Sequence, residues 1–92
     1  KLDLARFEAA VSKAVRPALH QCEFDACVSL AFNVGAAAFT SSSLVRALND
    51  GKFGVAAGQF TMWTKAGGAH NPALLRRRTR ELLMFVGYGR LP

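Results

Sequence analysis

Residues 21–35 read Gln21-Cys22-Glu23-Phe24-Asp25-Ala26-Cys27-Val28-Ser29-Leu30-Ala31-Phe32-Asn33-Val34-Gly35. Phe24, Ala26, Cys27, Val28, Leu30, Ala31, Phe32 and Val34 make the stretch apolar on almost every side. A helix that is hydrophobic all round is the buried post of a small domain, with other helices laid against it. The acids Glu23 and Asp25 are expected in its first turn, where the helix dipole favours negative charge. Gly35 stands where a left-handed C-terminal cap is wanted. Near that end a polar side chain, Asn33, interrupts the apolar run.

On the N-terminal side, Leu4, Phe7, Val11, Ala14 and Val15 fall at helical spacings, so a first helix is expected over 1–16. Asp3 serves as its N-cap or first-turn acid, and Pro17 stops it, because the residue before a proline is pushed from helical angles. On the C-terminal side, Thr40-Ser41-Ser42-Ser43 offers caps for a short helix holding Leu44, Val45 and Leu48, which Asn49-Asp50-Gly51 ends as a turn. A further helix is expected over 53–64, with Phe53, Ala56, Ala57, Phe60 and Trp63 inward. Gly54 and Gly58 weaken it by about 1 kcal/mol each relative to Ala, unless close packing requires them. Residues 65–70 read as a loop. Asn71-Pro72 then opens a last helix carrying Leu74, Leu75, Leu82, Leu83 and Phe85, closed by Gly87. There is no strand signal of any length, and the expectation is all-α, five helices around a buried central one.

A chain of 92 residues with 51% hydrophobic composition can close one core, so 1–92 is read as a single domain. No apolar run approaches the roughly 20 residues that a membrane-spanning helix needs. The chain begins at Lys1 with no Met and no charged-then-apolar leader, as expected of a processed or excised piece. Its net charge of +6 favours an anionic partner: nucleic acid, anionic lipid or a bacterial cell wall. Cys22 and Cys27 diverge by about 140° on one helix, which argues against a bridge and for two reduced, structural thiols.

A small basic helical protein invites a search for the paired carboxylates of a glycosidase, roughly 5 to 9.5 Å apart across a cleft. Glu23 and Asp25 do not face each other on a helix, Asp50 sits in a turn, and Glu8 fits a solvated face. Glu81 follows Arg77 and Arg78 by four and three residues, as in a surface ion pair. No catalytic residue is therefore assigned. His20 and His70 lack neighbours at metal-ligand spacing, so neither a metal nor a cofactor is expected. Ser41 to Ser43 are better caps than nucleophiles. Arg76, Arg77, Arg78 and Arg80 spread around a helix; two are expected in solvent and one or two paired with Glu81 or an acid of the central helix. Without aromatic interleaving they do not describe a nucleic-acid site. Trp63, before a Gly-rich loop, and Asn33 are the side chains suited to a sugar ring, one by its face and one by its amide.

Three ordered stretches resemble phage-type lysozymes, the endolysins of glycoside hydrolase family 24. The first is Gln21-x-x-Phe24-Asp25-Ala26-x-Val28-Ser29-x-Ala31-Phe32-Asn33-Val34-Gly35. The second joins Phe39-x-Ser41-Ser42-x-Leu44-x-x-x-Leu48-Asn49 to Trp63-x-Lys65-Ala66-Gly67-Gly68, and the third is Leu75-x-Arg77-Arg78-x-x-Glu81. The resemblance implies an inter-lobe helix over 1–16 and a helical C-terminal lobe over 17–92. It places the catalytic Glu in an N-terminal lobe that these residues do not match. Gly87-Tyr88-Gly89 echoes a turn of that lobe, but it follows the last helix and lacks the turn's His, so it is read as coincidence.

What the resemblance implies is half a cleft, the wall opposite the general acid that breaks the bond between N-acetylmuramic acid and N-acetylglucosamine. Asn33 and Trp63 are its substrate-binding candidates, while Asp25, Arg77 and Arg78 are structural or tie this lobe to the other. The implied partners are bacterial peptidoglycan and the N-terminal lobe, the implied origin is a phage, and the implied place of action is the periplasmic cell wall. The other expectation is a catalytically inactive module that binds peptidoglycan or an anionic surface. A lobe without its neighbour should also leave an apolar face uncovered. The first helix is the expected face, with homodimerisation through residues 4–15.

Overall fold

The computed structural model describes residues 4–87, so the expected cap Asp3 and the Tyr88-Gly89 part of the final turn lie outside the described residues. In chain order the elements are α1 (Ala5–Ala14), α2 (Gln21–Val34), α3 (Ala36–Thr40), α4 (Ser43–Asn49) and α5 (Phe53–Gln59). A 3₁₀ turn (Phe60–Met62), a hairpin of β1 (Lys65–Ala66) with β2 (Ala69–His70), and α6 (Pro72–Phe85) follow. The architecture is all-α, as expected, with a minimal ladder in which Lys65 pairs His70 and Ala66 pairs Ala69. Gly67 and Gly68, at φ +61° and +85°, give the two-residue turn the backbone it needs. Residues 65–70 were expected as a loop because two-residue strands are too short to show alternation.

Among the described residues six helices replace the expected five. Gly35, at φ +100° and ψ 145°, ends α2 and sends the chain into α3 instead of leaving Ala36–Ala38 as a connection. The helix expected over 53–64 ends at Gln59 and tightens into the 3₁₀ turn, so Trp63 lies beyond it, half-buried against the core. The first helix stops at Ala14, short of Arg16. There Asn49 acts as a clamp: its Oδ1 accepts from the Arg16 amide at 2.8 Å and its Nδ2 donates to the Ala14 carbonyl at 3.0 Å. That side chain satisfies backbone groups at the helix end and pins α1 to the end of α4.

Two caps are as expected. Ser42 accepts from the Val45 amide at 3.2 Å, and Asn71 Oδ1 accepts from the amides of Ala73 and Leu74. Glu23 lies in the first turn of α2 and accepts from the His20 amide at 2.7 Å. Asp25 falls just past that turn, exposed, where it accepts from Gln21 Nε2 at 2.7 Å.

α2 is the post, though not on every side. Ala26, Cys27, Val28, Leu30 and Ala31 are buried, while Gln21, Asp25, Phe32 and Asn33 form a solvent-facing stripe. Both cysteines are free thiols, and burial beside Glu23 and Glu81 pushes Cys27 up to about 12. Phe85 of α6 packs on Phe60 and Phe53, with ring centroids 5.3 and 6.4 Å away, closing the far side of the core.

The apolar face of α1 is not left open. Phe7, Val11 and Val15, the large side chains of that face, are buried in this chain's own core. The large uncovered side chains sit elsewhere and include Phe32 on α2 and Leu75, Leu83 and Met84 on α6.

Within α6, Glu81 forms a buried charge pair with Arg78, not the expected surface pair, and α2 bonds to it. Arg78 and Glu81 are 1% and 2% exposed. Arg78 Nη2 donates to Glu81 Oε2 at 2.9 Å, and Arg78 Nε faces Glu81 Oε1 at 2.7 Å. Ser29 Oγ of α2 donates to the same Oε2. One turn away, Arg77 Nη1 donates to Asn33 Oδ1, and Asn33 Nδ2 donates to the Ser29 carbonyl at 2.8 Å. Ser29 and Asn33 are one turn apart on α2, as are Glu81 and Arg77 on α6, so the two bonds fix antiparallel register.

Burial pushes the Glu81 carboxyl above its ordinary range, against the pull of Ser29 and Arg78, and pushes Arg78 down. Desolvation therefore outweighs attraction, and the pair specifies register more than it adds stability.

Two sets of stability measurements check this account. In urea titrations Gly35→Ala should lose about 1–3 kcal/mol, because its backbone region is nearly glycine-only although an added Cβ would meet nothing within 4 Å. Gly54→Ala and Gly58→Ala should each gain about 0.5–1 kcal/mol, since both lie in α5 with open space around them and no close packing to protect. Glu81→Leu should cost about 3–5 kcal/mol, because the stranded guanidinium cannot shed its proton. Arg78→Met should cost less in acid, since Glu81 can neutralise itself. With its folded pKa raised, that variant's stability should fall as pH rises through and above the ordinary carboxylate range. The double variant Arg78→Met/Glu81→Leu should recover most of the loss.

Candidate functional site

The register of α2 against α6 opens a pocket of about 350 Å³ lined by Asn33, Val34, Met62, Trp63, Lys65, Leu74 and Arg78. Four elements build it. The end of α2 supplies Asn33 and Val34, and the 3₁₀ turn supplies Met62. The segment leading into the hairpin supplies Trp63 and Lys65, and the first turns of α6 supply Leu74 and Arg78. Its volume lies at the small end of ligand sites, enough for a sugar ring. Asn33 and Trp63, far apart in sequence, thus meet in one place.

Trp63 is half-buried, with its body held against the core. Thr64 beside it is buried, its carbonyl accepting from the Asn71 amide at 2.8 Å and its hydroxyl 3.3 Å from His70 Nδ1. Those contacts close the hairpin onto the cap of α6 and fix the chain just beyond the indole. Lys65 at the hairpin base is exposed, as is Met62 at 70%.

Asn33 is more committed than a free recognition amide. Its Oδ1 takes Arg77 and one N–H takes the Ser29 carbonyl, leaving one N–H to donate. The lining offers that donor, the exposed cation Lys65, the Arg78 side chain already committed to Glu81, and apolar walls from Val34, Met62, Trp63 and Leu74. It carries no carboxylate. Such a surface can bind a neutral ring bearing acceptors or an acidic substituent, but it holds no group placed to give a proton to a leaving oxygen.

The remaining candidates separate. Arg78 points inward to Glu81, so it ties α6 to its own lobe. Arg77 is exposed and holds Asn33, which leaves it the arginine at the surface. Arg76 and Arg80 are exposed as well. Asp25 is exposed on α2 and engages Gln21. Among the described residues no group of three or more His, Cys, Asp or Glu is placed to hold a metal ion.

Sequence reasoning missed three contributors. Ser29 and Asn49 looked like ordinary polar residues, and Lys65 like part of a loop. The available signal was spacing: Ser29 with Asn33, and Arg77 with Glu81, are each four apart, as two helices sharing polar rungs require. Asn49 gave no such signal, because its partners are backbone groups more than thirty residues away.

The chain's likeness to known proteins agrees with this geometry. The phage lysozyme family model matches residues 1–81. The endolysin of Bacillus phage PZA is 43% identical over 83 residues, covering 90% of this chain and 32% of its own length. The endolysin of Salmonella phage P22 is 43% identical over 86 residues, covering 94% of this chain and 58% of its own length. A crystal structure of a P22 lysozyme mutant superposes with a TM-score of 0.87 at 42% identity, over 92% of this chain and 57% of that one. The chain thus spans about a third to three-fifths of the length of these relatives, and it belongs to the phage lysozyme family.

Proposed function

We propose that this chain forms the C-terminal wall of a muramidase cleft, holding the glycan of bacterial peptidoglycan while a neighbouring lobe supplies the general acid. The observation that supports this reading is the meeting of Asn33 and Trp63 in one pocket that Lys65 also lines and no carboxylate does. On this reading the Trp63 face and the free Asn33 N–H orient a sugar ring, and Lys65 attracts an acidic substituent of the polymer. The bond broken joins N-acetylmuramic acid to N-acetylglucosamine. Its leaving oxygen takes a proton from a carboxyl group in the part of the relatives' length that this chain does not match.

In that arrangement residues 1–16 lead from the other lobe and residues 17–92 form the wall. Arg77, exposed beside the pocket and already holding Asn33, is the residue placed to meet the partner lobe. Asp25, on the same solvent-facing stripe of α2, is a second contact to that lobe. The place of action is the cell wall, on its periplasmic side.

Binding and hydrolysis are tested separately. The chain should co-sediment with purified peptidoglycan, and Asn33→Ala should weaken that binding about two- to tenfold, the range for one neutral hydrogen bond. Lys65→Ala, at an exposed position, should lower affinity at low salt and make binding less sensitive to salt. The chain alone should release no reducing ends, and joining the N-terminal lobe of a relative ahead of residue 1 should restore release. Hydrolysis by the 92 residues alone would place the acid within this chain and overturn the reading. Binding without restored hydrolysis would support instead the inactive wall-binding module.

A further inference from the structure

The chain just past α1 and one face of α4 enclose a groove that shares no residue with the glycan pocket. Its volume is about 390 Å³, and Arg16, Arg46 and Asp50 are the charged groups of its lining. Ser42, Val45, Arg46 and Asn49 also line it, at spacings that put them on one side of α4. The Asn49 clamp on the Arg16 amide and the Ala14 carbonyl holds Arg16 to that side.

The fold leaves these charges uncommitted. Among the described residues none of Arg16, Arg46 and Asp50 joins an ion pair within 4.0 Å. Arg46 and Asp50 are four apart, a helix-pair spacing, yet they stay separate, and a base placed before an acid is the weaker order for such a pair. Asp50 is also the C-cap of α4, the end at which the helix dipole disfavours an acid. Neither pairing nor helix stability therefore explains a carboxylate and two guanidiniums around one groove. The Ser41 and Ser42 hydroxyls are spent on the Ala37 and Phe39 carbonyls, and one Asn49 N–H on Ala14. The other Asn49 N–H remains to donate.

Two guanidiniums alone would suit any oxyanion. Asp50 beside them repels a plain anion and offers a seat to a cation, so charge complementarity selects a compact ligand carrying both signs.

We propose that this groove binds an α-amino-acid zwitterion, its carboxylate between Arg16 and Arg46 and its ammonium on Asp50. The free Asn49 N–H adds a donor to the carboxylate. Because no residue of this groove lines the glycan pocket, the proposal does not rest on the glycan reading.

Backbone-amide NMR titrations of the 92-residue chain test it. The probes are D-alanine, N-acetyl-D-alanine, which lacks the ammonium, and D-alaninamide, which lacks the carboxylate. D-alanine should give saturable shifts at Arg16 and across residues 40–50, and each blocked form should bind about tenfold more weakly, as for one lost bond to a charged group. Arg46→Gln should lower D-alanine affinity about tenfold. Asp50→Asn should erase the preference for D-alanine over N-acetyl-D-alanine. Both positions are exposed, and circular dichroism should show the helices of both variants intact. A further arm uses a peptide bearing diaminopimelate with one amino-acid end free. Tighter binding of that peptide than of D-alanine would support a peptide-borne group, and the reverse order a free amino acid. Equal binding of D-alanine and N-acetyl-D-alanine by wild type would make the groove a plain anion site and overturn the proposal. The absence of saturable shifts at these residues with either D-alanine or the peptide would overturn it too.

Discussion

The Arg78–Glu81 pair is the constraint around which the rest of this lobe is set. Two opposite charges, almost wholly removed from water, tolerate little displacement, because any gap leaves one of them stranded in a medium that cannot solvate it. Ser29 donates to the carboxylate from the facing helix and so makes the pair report on the register of α2 as well as on α6. A slide of one helix along the other would break that bond and the Arg77–Asn33 bond together. Apolar packing alone would tolerate such a slide better, since Ala26, Cys27 and Ala31 present small, similar surfaces. The pocket inherits this precision, because Asn33 comes from one helix, Arg78 from the other, and Arg78 belongs to both arrangements.

What could be read beforehand divides along a physical line. Features decided within one turn of chain were legible: the Ser42 and Asn71 caps, the proline at the start of α6, and the glycine at the end of α2. Features decided by what lies across the core were not. Glu81 looked like a surface partner of Arg78 because its spacing is equally good on either side of a helix; only Ser29 and the neighbouring core residues set which side is wet. The open face expected on α1 was misplaced for the same reason. An amphipathic stripe announces that it will be covered, not by which surface, and here the chain's own core covers it. Gly54 and Gly58 illustrate the converse, since nothing approaches them and their presence in α5 has no packing reason.

The candidate site was half legible. Asn33 and Trp63 could be named by side-chain type, yet their meeting depends on the 3₁₀ turn that redirects the chain after Gln59 and on the hairpin that Thr64 and His70 close. The chemistry of the lining then fits a division of labour. On the proposed reading, a wall that binds sugar through a donor and an aromatic face needs no acid of its own. Arg78 is already paired with Glu81, so Lys65 is the cation of the lining left to attract an anionic polymer. In a two-lobed cleft the proton donor is better placed opposite, where closing the lobes brings it to the glycosidic oxygen and excludes water together.

The two sides of α6 carry this separation further. Its inner side commits Arg78 to a carboxylate, so that charge adds little to the field outside the protein. Arg76 and Arg80 are exposed and have no exposed acid on their own helix, so their charges reach solvent, screened by salt. Arg77, between the two sides, is held by an amide, which fixes its position without cancelling its charge. A single helix therefore supplies the lobe's buried anchor, a fixed cation at the pocket edge and a cationic outer face. Replacing any one arginine by lysine would keep the formal charge of +6, but only the outer positions, which need charge and not a planar fork, should tolerate it.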